Sequence, residues 1–298
     1  MEYHNPVLLN ESIEGLNINP NGVYVDLTFG GGGHSKVILK KLLNGKLLGF
    51  DQDSDAKKNI ISNKNFIFVH SNFKYLKNYL KYHGYSKVDG ILADLGISSH
   101  HINMPERGFS FRFDAPLDMR MNQKSKISAY DVINTHDEEK LYKIFREYGE
   151  IKSVGRLVKL IVEKRKIKTI NTTFELINLI EELAPKHKEH KFYAQVFQAI
   201  RIEVNAEITV LEQVLEQSAE VLKKGGRLVV ISYHSLEDKL VKKFIKAGNI
   251  KGEIIKDNFG NFEKIFKPIN KKIIVPTSEE ITVNNRARSA KLRIAEKL

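Results

Sequence analysis

The chain has 298 residues, no cysteine, 42% hydrophobic residues and a formal net charge of +12 at pH 7. That length allows one large domain or two modest ones. Disulfides and thiolate metal sites are excluded, and no apolar run approaches the roughly 18 residues of a membrane span. The first residues, Met1-Glu2-Tyr3-His4-Asn5, show no basic flank and no apolar signal core, so a cytoplasmic protein without a membrane partner is expected. The basic excess favours polyanions, although a lysine-rich composition accounts for it equally well.

In chain order, residues 23–27 read as a strand, 35–43 as its helix and 46–50 as a second strand. A short helix over 55–61, a strand over 66–70, a helix over 73–82 and a fourth strand over 88–95 follow. This alternation predicts a parallel sheet with right-handed crossovers. Residues 103–124, with two prolines and three arginines, form a connection too long to be idle. Helical periods then dominate 137–148, 153–166, 173–183 and 193–222. Thr172 or Thr173 is placed as an N-cap, and Pro185 as a helix stop. Strand character returns at 227–232, with a helix over 236–245 and strands near 265–267 and 291–294. The fold class is α/β, a Rossmann-like sheet carrying an inserted all-helical domain. The boundaries expected are 1–103 with 220–298 for the sheet domain and 104–219 for the insert.

The first strand ends in Gly30-Gly31-Gly32-Gly33-His34-Ser35, and the second in Asp51-Gln52-Asp53. A glycine turn after one strand and an acid after the next make a nucleoside-binding βαβ unit, the acid accepting from ribose hydroxyls. Asp51 is the better ribose ligand, since Asp53 or Ser54 can cap the following helix. The third glycine of a dehydrogenase fingerprint is replaced by Ser35 or Lys36, and the Gly-Lys-Ser/Thr end of a P-loop is missing. An adenosine cofactor without a pyrophosphate, such as S-adenosylmethionine, fits what remains. Asp94 ends strand four, where open α/β sheets bind ligands. His100 and His101 are adjacent and diverge, with no third ligand at a supporting spacing, so no metal is expected. Arg107, Arg112 and Arg120 alternate with Phe109, Phe111 and Phe113. They suit phosphate and stacked bases, or salt bridges to Asp114 and Asp118 with phenylalanines in the core. The structural reading is preferred for most of them. Ser235 with Asp238 reads as a capping box, leaving His234 at a strand tip.

These motifs, together with His4-Asn5-Pro6-Val7-Leu8-Leu9, Asp94-Leu95-Gly96-Ile97-Ser98-Ser99, Arg107-Gly108-Phe109-Ser110, Pro116-Leu117-Asp118-Met119-Arg120-Met121, Tyr148-Gly149-Glu150, Phe197-Gln198-Ala199-Ile200-Arg201, Val204-Asn205, Ile231-Ser232-Tyr233-His234-Ser235-Leu236-Glu237-Asp238 and Asn285-Arg286-Ala287-Arg288-Ser289, run end to end in a known order. The chain resembles the MraW (RsmH) family of bacterial 16S ribosomal RNA cytosine-N4 methyltransferases. The resemblance implies a class I methyltransferase domain with a helical substrate domain. It also implies methylation by S-adenosylmethionine of a cytidine near the decoding centre of the small ribosomal subunit. DNA or another RNA is the alternative substrate, and a homodimer is compatible with it. The family's cofactor contacts fall on Gly32, Gly33, His34, Asp51, Phe73 and Asp94, and on His101, where the family commonly has glutamine. Tyr233 stands where the family has phenylalanine. Cytosine N4 is a poor nucleophile, so acceptors aimed at its N–H groups would aid attack. His234, Ser98 and Asn205 are the candidates to orient it or take its proton, with no catalytic residue assigned. The insert and the arginine loop are expected to grip the RNA, whose target base must leave its stack.

Overall fold

A computed structural model describes residues 6–254 and 262–298. His4 and Asn5 of the first motif lie outside the described residues. The chain forms two compact units, one of Met1–Gly96 with Ile208–Leu298 and one of Ile97–Glu207.

The sheet unit opens with helix α1 (Leu9–Leu16), which the sequence reading left unassigned, and β1 (Val23–Asp26). Then come α2 (Gly33–Lys41), β2 (Lys46–Asp51), β3 (Phe66–His70), α3 (Leu76–Tyr82) and β4 (Val88–Asp94). The expected short helix after β2 is a 3₁₀ turn, Ser54–Asn59, capped by Asp53, whose carboxylate accepts from the Asp55 N–H at 3.0 Å.

The helical unit holds α4 (Ser99–Asn103), α5 (Ala129–Thr135), α6 (Glu138–Glu147), α7 (Val154–Arg165), α8 (Thr173–Ile180) and α9 (Glu189–Asn205). Its core gathers Ile133, Leu141, Phe145, Leu157, Ile161, Leu176, Val196 and Ile200, the inward stripes of these amphipathic helices. Thr172 caps α8, its hydroxyl accepting from the Glu175 N–H at 3.2 Å.

The single helical period over 193–222 is two helices. Ala206 adopts a left-handed conformation, φ 49°, and ends α9, and α10 (Glu207–Val221) begins beyond it. Val196 and Ile200 belong to the helical core, whereas Leu211, Val214 and Leu215 pack on the sheet. Both junctions between the units therefore come earlier in the chain than expected.

The sheet unit resumes with β5 (Leu222–Ser232), α11 (Ser235–Ala247), β6 (Phe266–Pro268), α12 (Ser278–Val283) and β7 (Lys291–Lys297). The strand order is β3-β2-β1-β4-β5-β7-β6. The first five strands are parallel, while β7 runs antiparallel to both β5 and β6. Alternation sends Val25, Leu48, Ile91 and Val230 to a core shared with α3, α10 and α11. Tyr24, Leu47, Leu92 and Val229 go to the opposite core with α1 and α2. Both faces are covered, which is why the strands read as near-continuous apolar runs. Among the described residues no helix is long and apolar enough to cross a membrane.

Candidate active site

The carboxyl ends of β1, β2 and β4 each finish in an aspartate: Asp26, Asp51 and Asp94. In an open α/β sheet these ends border the ligand crevice. Asp26 is buried, and its carboxylate accepts from the Thr28 N–H at 3.1 Å and the Ser35 hydroxyl at 2.7 Å. It thereby ties the strand end to the first turn of α2. Burial pushes its carboxyl above the usual aspartate range.

Asp51 holds the glycine loop. One oxygen accepts from the Gly30 N–H and the other from the Asp53 N–H, both at 2.8 Å. Each oxygen keeps a second lone pair for a ligand hydroxyl. Burial pushes this carboxyl up to about 6, although the two backbone donors favour its charged form. Asn59 steadies the loop from the other side, donating to the Gly30 carbonyl at 2.9 Å.

The glycines divide into two kinds. Gly30 has φ +50°, and a Cβ there would meet only the Thr28 carbonyl oxygen, at 3.9 Å. The space over Gly30, whose N–H is held by the Asp51 carboxylate, is therefore open. A Cβ on Gly32 would stand 3.0 Å from the Phe29 ring, and one on Gly33 only 2.2 Å from Pro6 Cγ. Gly32 thus answers to packing within the loop, and Gly33 to the close approach of Pro6 from the N-terminal segment. Gly33 begins α2, whose first-turn amides have no partner inside the helix and suit a carboxylate. An open glycine, a ribose-class acceptor and a helix N-terminus fit an adenosine cofactor with an amino-acid tail.

His34 is buried, with Nε2 at 3.1 Å from the Val7 carbonyl oxygen. A carbonyl only accepts, so Nε2 donates to it, and Nδ1 lies 3.9 Å from Asp94 Oδ2. The other Asp94 oxygen accepts from the Tyr233 hydroxyl at 2.8 Å, and the Asp94 N–H donates to Thr28 Oγ1 at 2.7 Å. Burial pushes the Asp94 carboxyl up to about 6, while His34 and the Tyr233 hydrogen bond pull it down. Burial and the neighbouring Asp94 charge drive the Tyr233 phenol well above its ordinary value. It is a donor at neutral pH and no base.

Tyr233 is the contact that sequence reasoning missed. Its only signal was an aromatic residue beside His234 at a strand tip. The pairing of Gln52 with Asn72, 2.7 Å across the ends of β2 and β3, had no signal at all. Phe73 follows Asn72 in a 3₁₀ turn, Phe73–Tyr75, and is half-buried against the sheet core. The predicted residues Gly32, Gly33, His34, Asp51, Phe73 and Asp94 thus lie in the sheet unit. His101 belongs to the helical unit, buried and stacked on Phe109 with ring centroids 4.7 Å apart.

The three candidate proton acceptors have structural work. Ser98 caps α4, accepting from the His101 N–H at 3.2 Å. Asn205 accepts from the Met121 N–H at 2.8 Å and donates to the Met119 carbonyl at 2.8 Å, pinning the arginine loop. His234 caps α11, in a capping box with Glu237 rather than the expected Ser235–Asp238 pair. Glu237 accepts from the Tyr233 N–H at 2.9 Å. Asp238 pairs instead with Arg293, at 2.7 Å.

The arginines divide similarly. Arg107 is buried and donates to the carbonyls of Arg120 and Met121, at 2.9 and 3.2 Å. Arg120 forks onto Asp118 and reaches the Ser125 carbonyl at 2.8 Å. Arg112 and Phe113 are exposed. Arg107 and Arg120 therefore shape the loop.

The profile of the MraW methylase family matches residues 1–298. The ribosomal RNA small subunit methyltransferase H of Flavobacterium johnsoniae is 56% identical over 299 residues, covering 100% of this chain and 99% of its own. The protein of the same name from Bacteroides fragilis is 55% identical over 296 residues, covering 99% and 97%. A solved rRNA methylase from Streptococcus thermophilus covers 97% of this chain and 93% of its own at 12% identity and a TM-score of 0.41, too low to carry an argument. With a profile match along the whole sequence and relatives above half identity over their full length, the chain belongs to the MraW methylase family of S-adenosylmethionine-dependent methyltransferases.

Proposed function

We propose that the protein methylates small-subunit ribosomal RNA in the cytoplasm, at the exocyclic N4 of one cytidine near the decoding centre. The observation that carries this reading is the full-length likeness to relatives named ribosomal RNA small subunit methyltransferase H. The cluster of Asp26, Asp51, Asp94 and the open Gly30 supports it from the side of the cofactor.

In this reading Asp51 takes the ribose hydroxyls on its remaining lone pairs. The loop from Gly32 to His34 and the first turn of α2 take the amino-acid tail, and Phe73 completes the contacts from the sheet unit. Asp94 offers an acceptor for a positively charged or N–H-bearing group, oriented by Tyr233. S-adenosylmethionine supplies an electrophilic methyl on a sulfonium. The protein's part is therefore alignment of the amine with that methyl at roughly 3 Å. Ser98, Asn205 and His234 already cap helices or pin a loop, so each acts by holding a segment. No strong base is needed, since the proton is lost from an amine made acidic by the transfer.

The test is tritiated S-adenosylmethionine with small subunits, naked 16S RNA and duplex DNA, followed by nucleoside analysis. Label in N4-methylcytidine from small-subunit RNA is expected. Label in another nucleoside, or in DNA alone, overturns the reading.

A further inference from the structure

The positive charge of this chain is not spread evenly. Residues 222–298 hold 18 Lys and Arg against 8 Asp and Glu, whereas the helical unit, 97–207, holds 19 against 16. Most of the +12 therefore belongs to the last quarter of the chain, all of it in the sheet unit. This is unexpected if the insert alone holds a polyanion.

Helix α11 shows how that charge is displayed. Val241, Phe244 and Ile245 are buried against the sheet, and Lys242, Lys243 and Lys246 share the exposed side. The two acids of the helix are withdrawn from that side. Glu237 is buried in the capping box, and Asp238 is engaged by Arg293 and Lys291. The Lys243 stem is packed, with its Cβ, Cγ and Cδ each 3.3 Å from where a Gly252 Cβ would stand.

The neighbouring edge strand extends the display. Phe266 of β6 packs on Phe244 of α11, with ring centroids 5.5 Å apart, and Ile265 lies against Gly248 at the helix end. Lys264 and Lys267, on either side of that contact, are exposed. Exposed Glu253 and Glu263 are the acids nearest in sequence, leaving a clear positive surplus.

We propose that the exposed face of α11, with Lys242, Lys243 and Lys246, and the edge strand, with Lys264 and Lys267, form a phosphate-backbone docking surface for the RNA substrate. This rests on the RNA reading above. Lysines act here as point charges that neutralise phosphates without reading bases. The surface adds affinity and orientation, and leaves base selection to the site.

The experiment measures affinity of the full chain for naked 16S RNA across potassium chloride concentrations. Each neutralised phosphate adds roughly 0.7 to 0.9 to the slope of log affinity against log salt. The triple variant Lys242→Gln/Lys243→Gln/Lys246→Gln should lower the slope by about two and weaken binding about tenfold or more near 0.1 M salt. The KM for RNA should rise while kcat, S-adenosylmethionine affinity and melting temperature hold. The matching Lys→Arg triple variant should restore the slope, since it keeps charge and changes shape. Unchanged slope and KM in a folded Gln variant overturn the proposal. So does an equal loss from Lys152→Gln/Lys159→Gln/Lys166→Gln on the helical unit, whose lysines are just as exposed. If the wild type fails to methylate small-subunit RNA, the RNA reading itself falls. If both proteins methylate it alike, only the docking surface falls.

Discussion

Removing a single oxygen atom at Tyr233 tests the electrostatics of the site. The Tyr233 hydroxyl donates to Asp94 at 2.8 Å, and Tyr233→Phe deletes that bond while keeping the ring against Gly96. The other charged or titratable groups bearing on Asp94 are His34, Asp26 and Glu237. Burial already raises the Asp94 carboxyl to about 6, and the phenol is one of two influences opposing that rise. A hydrogen bond to a charged acceptor is worth about 1.5–3 kcal/mol, and one pH unit corresponds to about 1.4 kcal/mol. Its loss should lift Asp94 by roughly one to two pH units. If ionised Asp94 holds the cofactor, the affinity of the wild type for S-adenosylhomocysteine falls as pH drops through about 6. In Tyr233→Phe the same fall should start between roughly pH 7 and 8, with affinity recovering above pH 9. Calorimetric titration from pH 5.5 to 9.5 reads this directly. An acid limb at the same pH in both proteins refutes the reasoning. A loss of affinity equal at every pH assigns Tyr233 to packing.

Asp51→Ala removes the acceptor of two loop N–H groups as well as the proposed ribose ligand, and should weaken cofactor binding at least a hundredfold in calorimetry; retained affinity contradicts the ribose assignment. Gly33→Ala sets a methyl 2.2 Å from Pro6 Cγ, so thermal melting should reveal an overpacking loss of about 1–3 kcal/mol. Arg107→Glu buries a carboxylate among carbonyl oxygens and should unfold the arginine loop, seen as protease sensitivity near residues 107–121, while exposed Arg112→Glu should leave melting unchanged. Folded Asp51 and Asp94 bind protons more tightly than the unfolded chain, each ionising near 6 rather than 3.8. Their contribution to stability is full below about 4 and is lost as pH rises through about 6, by roughly 3 kcal/mol apiece. Denaturant titrations of Asp51→Asn and Asp94→Asn should flatten that slope, and a slope unchanged from the wild type speaks against burial as its cause.

Local pattern was enough for much of this molecule. Alternating strands and helices to residue 95, the glycine turn before α2 and the acids at 51 and 94 were legible because each depends on neighbours within one turn or one strand. The cap at Thr172 and the turn cap at Asp53 are of the same kind. Long-range choices were not legible. The run 193–222 keeps one helical period, yet its halves enter different cores, and only those cores explain the break at Ala206. The arginine pattern left phosphate binding and a structural role both open for Arg107, and only the meeting of its donors with the carbonyls at 120 and 121 gives it structural work. Tyr233 and Asp94 are 139 residues apart and meet because β4 and β5 lie side by side. Sequence determined which groups could carry the chemistry. Tertiary structure decided which of them face one another, since a hydrogen bond depends on position in space and a motif records only position along the chain.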